Sequence, residues 1–221
     1  MQSSSVLHSQ SFHPVFKTSI SAPGHENCSL HLHYELPPLI FVDPYELSNR
    51  ADAYSFKHAG PSNLELPVFA LGPGDDGNAT LLVSAAQPLS VDGVLDVEVP
   101  LHVRYARATE SPSSFQLTRL SWPEAFLECP RTYSTSSQLP PMRREFAAAF
   151  DGAAIVRLAP PPGAIPVETI RTPVGDAADV GRVELGTAVV VIAAFFYLMR
   201  VARRTVARLS SPSISEPVKK E

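Results

Sequence analysis

The sequence lacks most features that would indicate an enzyme or a nucleic-acid-binding protein. Its serines have no recognisable nucleophile turn, and its two cysteines and seven histidines follow no catalytic spacing. The glycine-rich stretch at residues 72–77 has neither the lysine nor the following Ser or Thr of a phosphate-binding loop. The net charge is −4 and no basic patch precedes the carboxy-terminal tail, which argues against nucleic acid as a partner. We therefore expect no catalytic residue, no cofactor and no resident metal ion.

Long apolar runs are also scarce. Residues 1–22 contain no apolar run of about seven residues, the shortest that a cleavable signal peptide uses. The long run is at residues 183–202, where no side chain from Leu185 to Met199 is charged. About 20 helical residues reach roughly 30 Å, enough for one bilayer crossing. We expect a transmembrane helix over 183–202, since a buried helix of a soluble core would be expected to carry a polar face.

The charges that flank this run predict its orientation. From Arg200 onward the chain has six Lys and Arg residues against two Glu residues. Because Lys and Arg accumulate on cytoplasmic flanks, the basic tail at 203–221 is expected in the cytoplasm and the preceding domain in the lumen. A tail-anchored protein with a cytosolic domain is the opposite arrangement, which the basic tail disfavours. A truncated gene model is a further explanation for the missing signal peptide.

The remainder of the chain favours an all-β, sandwich-like domain. Predicted strands lie at 30–36, 64–71, 80–85, 95–105, 115–120 and 153–158, and the apolar run 39–47 is predicted as a strand that enters a turn at Asp43-Pro44. A helical turn or strand is predicted at 143–150, and Trp122, Phe126 and Leu127 are core candidates. In the strand at 95–105, alternation buries Val99 and Val103 and exposes His102, while Pro100 indicates an edge strand or a bulge. Around this β domain, taken as 28–158, we expect a poorly structured segment at 1–27 and a Pro-rich linker at 159–182.

Two small groups of polar residues have a chemical and a structural interpretation. His31 and His33 fall on the polar face of the strand at 30–36, where a His-x-His pair can hold zinc, but no third ligand follows at a recognisable spacing. Asp43 and Glu46 can be read as a carboxylate pair for acid–base catalysis. A turn aspartate that bonds its own backbone is much commoner before a proline, so the structural interpretation is preferred for both groups.

The cysteines and asparagines suggest covalent modification. In an oxidising lumen Cys28 and Cys129 can form a disulfide, and two free buried thiols are at least as plausible from the sequence. Asn27-Cys28-Ser29 and Asn78-Ala79-Thr80 match the N-glycosylation acceptor pattern. The Asn78 triplet carries more weight because it lies in a polar turn.

Three motifs then resemble a known family. They are FVDPYEL at 41–47, VPLHVRY at 99–105 and FLECP at 126–130, followed by a Pro-rich link, VETIRTPVG, one apolar run and a basic tail. Together they are similar to the PIG-X/Pbn family over most of residues 28–205. The motif residues that carry the resemblance are Phe41, Val42, Asp43, Pro44, Tyr45, Glu46, Leu47, Pro100, Leu101, His102, Arg104, Tyr105, Cys129 and Pro130.

This resemblance implies a single-span glycoprotein of the endoplasmic reticulum with a lumenal domain. It implies a non-catalytic subunit of glycosylphosphatidylinositol (GPI) mannosyltransferase I, which stabilises a multispanning catalytic partner of the PIG-M type. That partner adds the first mannose to the anchor precursor from dolichol phosphate mannose. The fungal branch of the family is also implicated in folding or stability of other endoplasmic reticulum proteins. The alternative is a single-span surface receptor or adhesion protein with a β-sandwich ectodomain, which would reside in the plasma membrane.

Overall fold

The computed structural model describes residues 1–63, 78–90, 92–110, 115–131, 133 and 137–210. It divides into one unit at Met1–Gly175 and a second that begins at Asp176. The predicted strand at 64–71, the glycine-rich turn at 72–77 and the end of the basic tail lie outside the described residues.

The first unit is built almost entirely from strands. In chain order the elements are β1 Gln2–Leu7, β2 Val15–Ser21, β3 Ser29–Leu36, β4 Ile40–Phe41, α1 Pro44–Ser48, β5 Tyr54–Ala59, β6 Ala79–Ala85, β7 Val94–Pro100, β8 His102–Val103, β9 Phe115–Ser121, β10 Glu124–Cys129, α2 Arg144–Ala147, β11 Ala154–Leu158 and β12 Val167–Pro173. The second unit contains the helix α3, Val180–Leu209.

All strand pairs among the described residues are antiparallel, and the sheets enclose one main core. A five-stranded sheet has the order β11-β10-β3-β6-β5 and a three-stranded sheet the order β1-β2-β7, while β12 pairs with β9 and β4 with β8. Side chains of the two larger sheets meet in the core, where Phe16 of β2 packs edge-on against Tyr34 of β3 at 5.8 Å between ring centres. The predicted all-β, sandwich-like fold is confirmed.

Strand β3 is buried on both faces, which differs from the half-buried strand that its alternation predicts. Leu30, Leu32 and Tyr34 point into the main core as expected, but His31 and His33 are also buried. A second apolar cluster covers their face of the sheet, because α2 and the following 3₁₀ turn bring Phe146 and Phe150 onto it. Of the two predicted states for 143–150, the helical one is found.

The expected poorly structured segment at 1–27 instead supplies two strands. β1 pairs along β2, and β2 pairs along β7. The polar side chains that obscure the strand pattern in this segment have hydrogen-bond partners inside the fold. Gln2 donates from Nε2 to the carbonyl of Pro123 at 2.7 Å, and the hydroxyls of Ser4 and Thr18 are 3.1 Å apart. Paired polar groups can be buried at little cost, so weak hydrophobic alternation did not prevent strand formation.

The long strand predicted at 95–105 is divided at Leu101. Before it, β7 pairs with β2, and after it β8 pairs with β4. Val99 and Val103 are buried as predicted, and β7 is the last strand of its sheet among the described residues, as Pro100 indicated. Tyr105, which the alternation placed with the buried set, is 73% exposed.

The expected linker at 159–182 also contains structure. Its residues form β12, which pairs with β9 in a seven-residue register and buries Ile170 and Thr172 completely. Proline-rich composition at 160–162 therefore marks only the turn that precedes β12.

The transmembrane prediction is confirmed as one apolar helix able to cross a membrane within the residues that the structure describes. The candidate span runs from Ala177 to Leu209 and contains an 18-residue stretch with a mean hydropathy of 2.0. The helix α3 thus extends beyond the predicted 183–202 at both ends, and the arginines at 203, 204 and 208 are helical. Asp176 caps the 3₁₀ turn before it by accepting a hydrogen bond from the Ala178 N–H at 2.8 Å.

Candidate interaction surface

Two of the three sequence motifs meet on the surface of the first unit. The short pairing of β4 with β8 sets Phe41 opposite His102, so that the 41–47 and 99–105 motifs become neighbours. The amino-terminal segment before β2 completes the surface. We call this surface the motif patch. It comprises the side chains in contact here, Phe12, His13, Phe41, Glu46, His102, Arg104 and Tyr105, together with Tyr45, which directly precedes Glu46 in α1.

Other motif residues anchor the patch from below. Val42, Leu47 and Leu101 are fully buried in the main core, and Pro100 ends β7 opposite Val15. These apolar residues fix the backbone on which the exposed side chains stand. Cys129 and Pro130 of the third motif lie at the end of β10 and are not part of the motif patch.

Asp43 begins the short helix α1 and has no catalytic geometry. Its carboxylate accepts a hydrogen bond from the Tyr45 N–H at 2.8 Å, and Pro44 occupies the first helical turn, where a missing N–H costs nothing. Glu46, one turn along, points to a different partner. The carboxylate pair considered from the sequence is therefore two groups with separate roles.

Glu46, His102 and His13 form a hydrogen-bonded row. Glu46 Oε2 lies 2.7 Å from His102 Nε2, and His102 Nδ1 lies 2.9 Å from His13 Nδ1. An ionised carboxylate only accepts, so His102 donates from Nε2; in the neutral ring its Nδ1 then accepts from His13. The His102 ring stacks on Phe41 at 5.3 Å, which holds the imidazole in place.

Arg104 is a buried cation with several partners. Its guanidinium lies 4.3 Å above the centre of the Phe41 ring and donates to the carbonyls of Pro61 and Asn63. Only 3% of the residue is exposed, and burial lowers the pKa of its guanidinium. Arg104 therefore stiffens the floor of the patch and ties it to the chain at 61–63.

The outer part of the patch is aromatic and open to solvent. Tyr45 is 83% exposed and Tyr105 73% exposed, and the Tyr105 ring packs against Phe12 at 4.9 Å. Phe12, His13, Phe41, His102, Val103 and Tyr105 line an open pocket of about 270 Å³. Exposed tyrosines beside a rigid polar row are typical of protein-binding surfaces, since their rings add contact area and their hydroxyls add hydrogen bonds.

The chemistry of the patch suits binding better than catalysis. The side chains that line the pocket include no serine or cysteine nucleophile. A Glu–His pair can move a proton, but both ring nitrogens of His102 already have partners within the row. In the described part of the chain no three His, Cys, Asp or Glu residues are grouped so that they can hold a metal ion.

His31 and His33 lie elsewhere, under α2, and act as core residues. His31 stacks on Phe126 at 5.2 Å and shares a 2.8 Å hydrogen bond between its Nδ1 and Ser84 Oγ. Burial lowers the pKa of His31 to about 4 and also lowers that of His33, so both rings are neutral near pH 7. The structure does not bring a third ligand to the zinc pair considered from the sequence.

Cys28 and Cys129 form a disulfide, with an S–S distance of 2.04 Å and Cα atoms 4.4 Å apart. The bond joins the residue before β3 to the end of β10, two neighbouring strands. The two candidate glycan acceptors, Asn27 and Asn78, are both exposed.

Sequence reasoning missed the contributions of Phe12 and His13, because the segment at 1–27 was expected to be unstructured. It also missed the Glu46–His102 pair, whose members are 56 positions apart. One signal was available in the sequence. His102 is the only histidine on the polar face of the strand predicted at 95–105, and such a histidine is a candidate for a hydrogen bond to a specific partner.

The chain matches a family model described as PIG-X / PBN1 over residues 9–203. It is similar to Protein pbn1 of Aspergillus oryzae, with 27% identity over 194 residues that cover 80% of this chain and 35% of the relative. It is also similar to Protein pbn1 of Schizosaccharomyces pombe, with 27% identity over 180 residues, 79% of this chain and 50% of the relative. The chain thus spans half or less of the length of these curated relatives. The family match begins at residue 9 and so includes Phe12 and His13. The resemblance inferred from the sequence motifs began only at residue 28.

Proposed function

Because the chain belongs to the PIG-X / PBN1 family, we propose that it acts in GPI-anchor biosynthesis as a stabilising, non-catalytic subunit of GPI mannosyltransferase I. Its partner in this proposal is the multispanning PIG-M-type catalytic subunit, which transfers the first mannose to the anchor precursor. The observation that carries the proposal is the span of the family match, residues 9–203, which takes in the whole motif patch and most of α3. The same surface can also assist folding or stability of other endoplasmic reticulum proteins.

The proposed location is the endoplasmic reticulum membrane, crossed once, with the β domain in the lumen and the basic tail in the cytoplasm. Three features support this arrangement. The arginines at 200, 203, 204 and 208 follow the apolar run. A disulfide requires an oxidising compartment, and the exposed Asn78 acceptor is usable only in the lumen.

Within this proposal the motif patch is the surface that binds the lumen-facing segments of the catalytic subunit. Tyr45 and Tyr105 offer a large exposed aromatic area, and the row of Glu46, His102 and His13 offers fixed hydrogen-bonding groups beside it. Binding there would cover part of a multispanning protein that is otherwise exposed to degradation. The subunit then raises the amount of transferase and leaves its chemistry unchanged.

The test compares partner abundance with partner activity. Tyr45→Ser combined with Tyr105→Ser should reduce co-purification of the catalytic subunit from gently solubilised membranes and lower its steady-state level. Leu117→Ser combined with Val94→Ser is the matched control, because these side chains are 66% and 57% exposed outside the patch. In the double tyrosine variant, mannosyl transfer should fall in proportion to the amount of the catalytic subunit. A variant that keeps normal abundance of both subunits but loses transfer would contradict the purely stabilising role.

A further inference from the structure

The triplet Asn27-Cys28-Ser29 combines a glycan acceptor with a disulfide cysteine. Asn27 is exposed in a turn and adopts φ 62°, a left-handed conformation that asparagine tolerates better than most residues. Cys28, directly after it, is fully buried and bonded to Cys129, 101 positions further on. The two modifications therefore involve adjacent residues.

In the folded domain, backbone pairing fixes two of the three residues of this triplet. The acceptor pattern requires both the asparagine and the hydroxyl residue two positions later, so both must reach the same transferase. Ser29 is the first residue of β3 and is paired opposite Glu128 of β10. Cys28 donates its N–H to the His25 carbonyl at 3.2 Å and accepts from the Leu89 N–H at 3.0 Å. Of the three residues, Asn27 alone lies in an exposed turn outside the sheet.

We propose that Asn27 accepts a glycan only while Cys28 is unpaired, so that glycosylation of Asn27 and closure of the Cys28–Cys129 bond compete during folding. This inference rests on the lumenal placement of the domain proposed above. The products are compatible if the glycan is added first, because the Asn27 side chain points to solvent in the folded domain. If the disulfide closes first, Asn27 stays unmodified.

The two reactions are chemically independent. In glycosylation, the amide nitrogen of Asn27 bonds to the anomeric carbon of a lipid-diphosphate-linked oligosaccharide. The bond from that carbon to the diphosphate breaks, the amide loses a proton and the lipid diphosphate leaves. In disulfide closure, the thiols of Cys28 and Cys129 lose two protons and two electrons, which reduce the disulfide of a thiol–disulfide oxidoreductase. Neither reaction reverses the other, so their order decides the product.

Asn78 provides an internal reference. It is exposed directly before β6, and its triplet continues with Ala79, which is buried, and Thr80, which is paired with Glu35 and Ala59, so folding also takes this triplet into the sheet. The triplet contains no cysteine, so the occupancy of Asn78 should report how fast the domain folds and should not depend on the disulfide itself.

The experiment expresses the full chain in cells and measures glycan occupancy at each asparagine by endoglycosidase H gel shift and peptide mass spectrometry. In an Asn78→Gln background, Cys129→Ser removes the disulfide partner and leaves the Asn27 triplet intact. We expect the Asn27 glycoform to change from a minor to the major species. In an Asn27→Gln background, Cys129→Ser should leave Asn78 occupancy unchanged.

Slow folding alone is a competing cause, and Val99→Asp tests it. That change disrupts the buried face of β7 with both cysteines present. An equal rise of Asn27 occupancy in those Val99→Asp chains that a non-reducing gel shows to contain the Cys28–Cys129 bond, or no rise in Cys129→Ser, would overturn the competition. A glycan on Asn78 with none on Asn27 in any variant overturns this inference but not the lumenal placement, whereas absence of both glycans in every variant overturns both.

Discussion

Glu46 and His102 are 56 positions apart, and their side chains meet at 2.7 Å. This contact fastens α1 to β8 and orients the His102 ring against His13. It makes His102 the residue through which the two surface motifs and the amino-terminal segment are connected.

Replacing His102 with aspartate should therefore be harmful, although the alternation of the strand placed His102 on the exposed face. The new carboxylate would face Glu46 and leave His13 Nδ1 without its acceptor. We expect a loss of about 1 kcal/mol in the free energy of unfolding, because these hydrogen bonds are at most partly buried and a typical one contributes about 0.5–1.5 kcal/mol. Denaturant unfolding of the purified full chain measures it. His102→Asn keeps a polar side chain without a new charge and should lose less stability. If both variants were as stable as the unmodified chain, the row of Glu46, His102 and His13 would not contribute to stability.

The buried face of β7 can be tested within one strand. Val99 is fully buried and Val94 is 57% exposed. Val99→Asp should cost several kcal/mol, because an unpaired carboxylate would enter the core of a domain whose total stability is about 5–15 kcal/mol. Val94→Asp is the control and should be tolerated. The measurement is the yield of soluble, protease-resistant domain after membrane solubilisation, and similar yields would contradict the assigned core.

Acid should destabilise the first unit through His31. Burial lowers the pKa of this ring from 6.5 to about 4, so between these values the unfolded chain binds a proton that the folded chain does not. Stability from this group is thus complete above pH 6.5 and is lost as the pH falls toward 4, by a total of about 3 kcal/mol.

The pH dependence is measured by thermal unfolding of the full chain from pH 7 to pH 4. His31→Gln removes one titrating group and should make the slope in this window shallower, with a remaining part from His33, whose pKa burial also lowers. His8→Gln, at an exposed position, is the control and should keep the wild-type slope. Identical slopes in all three proteins would show that His31 is not the group responsible.

The amino-terminal strand should be required for stability. Deleting residues 1–7 removes β1, its ladder with β2 and the hydrogen bond from Gln2 to Pro123. We expect a lower melting temperature and faster proteolysis of the first unit. An unchanged melting temperature would indicate that β1 adds nothing to the fold.

The sequence was informative where one face of a strand is apolar. Leu30, Leu32 and Tyr34 have a clear two-residue period, and each is buried as that period predicts. The same period was misleading for His31 and His33, because the helix that covers them comes more than a hundred residues later in the chain.

The motif patch could be predicted only in part. The motifs at 41–47 and 99–105 were recognisable, but their contact depends on β4 pairing with β8, and pairing between such short strands has no sequence signature. His13 lies 89 positions from His102 and in a polar segment, so no local pattern connects them. Partners at this separation are determined by topology, which spacing along the chain does not reveal.

The disulfide also changes what a single backbone cut can do. Cys28 and Cys129 close a covalent ring that contains β3 to β10, while β1 and β2 enter it from one side and β11 and β12 leave it from the other. A protease that cleaves once between the two cysteines opens this ring without releasing a fragment. Such a nicked chain would migrate as one species on a non-reducing gel and separate into two pieces only after a reductant is added.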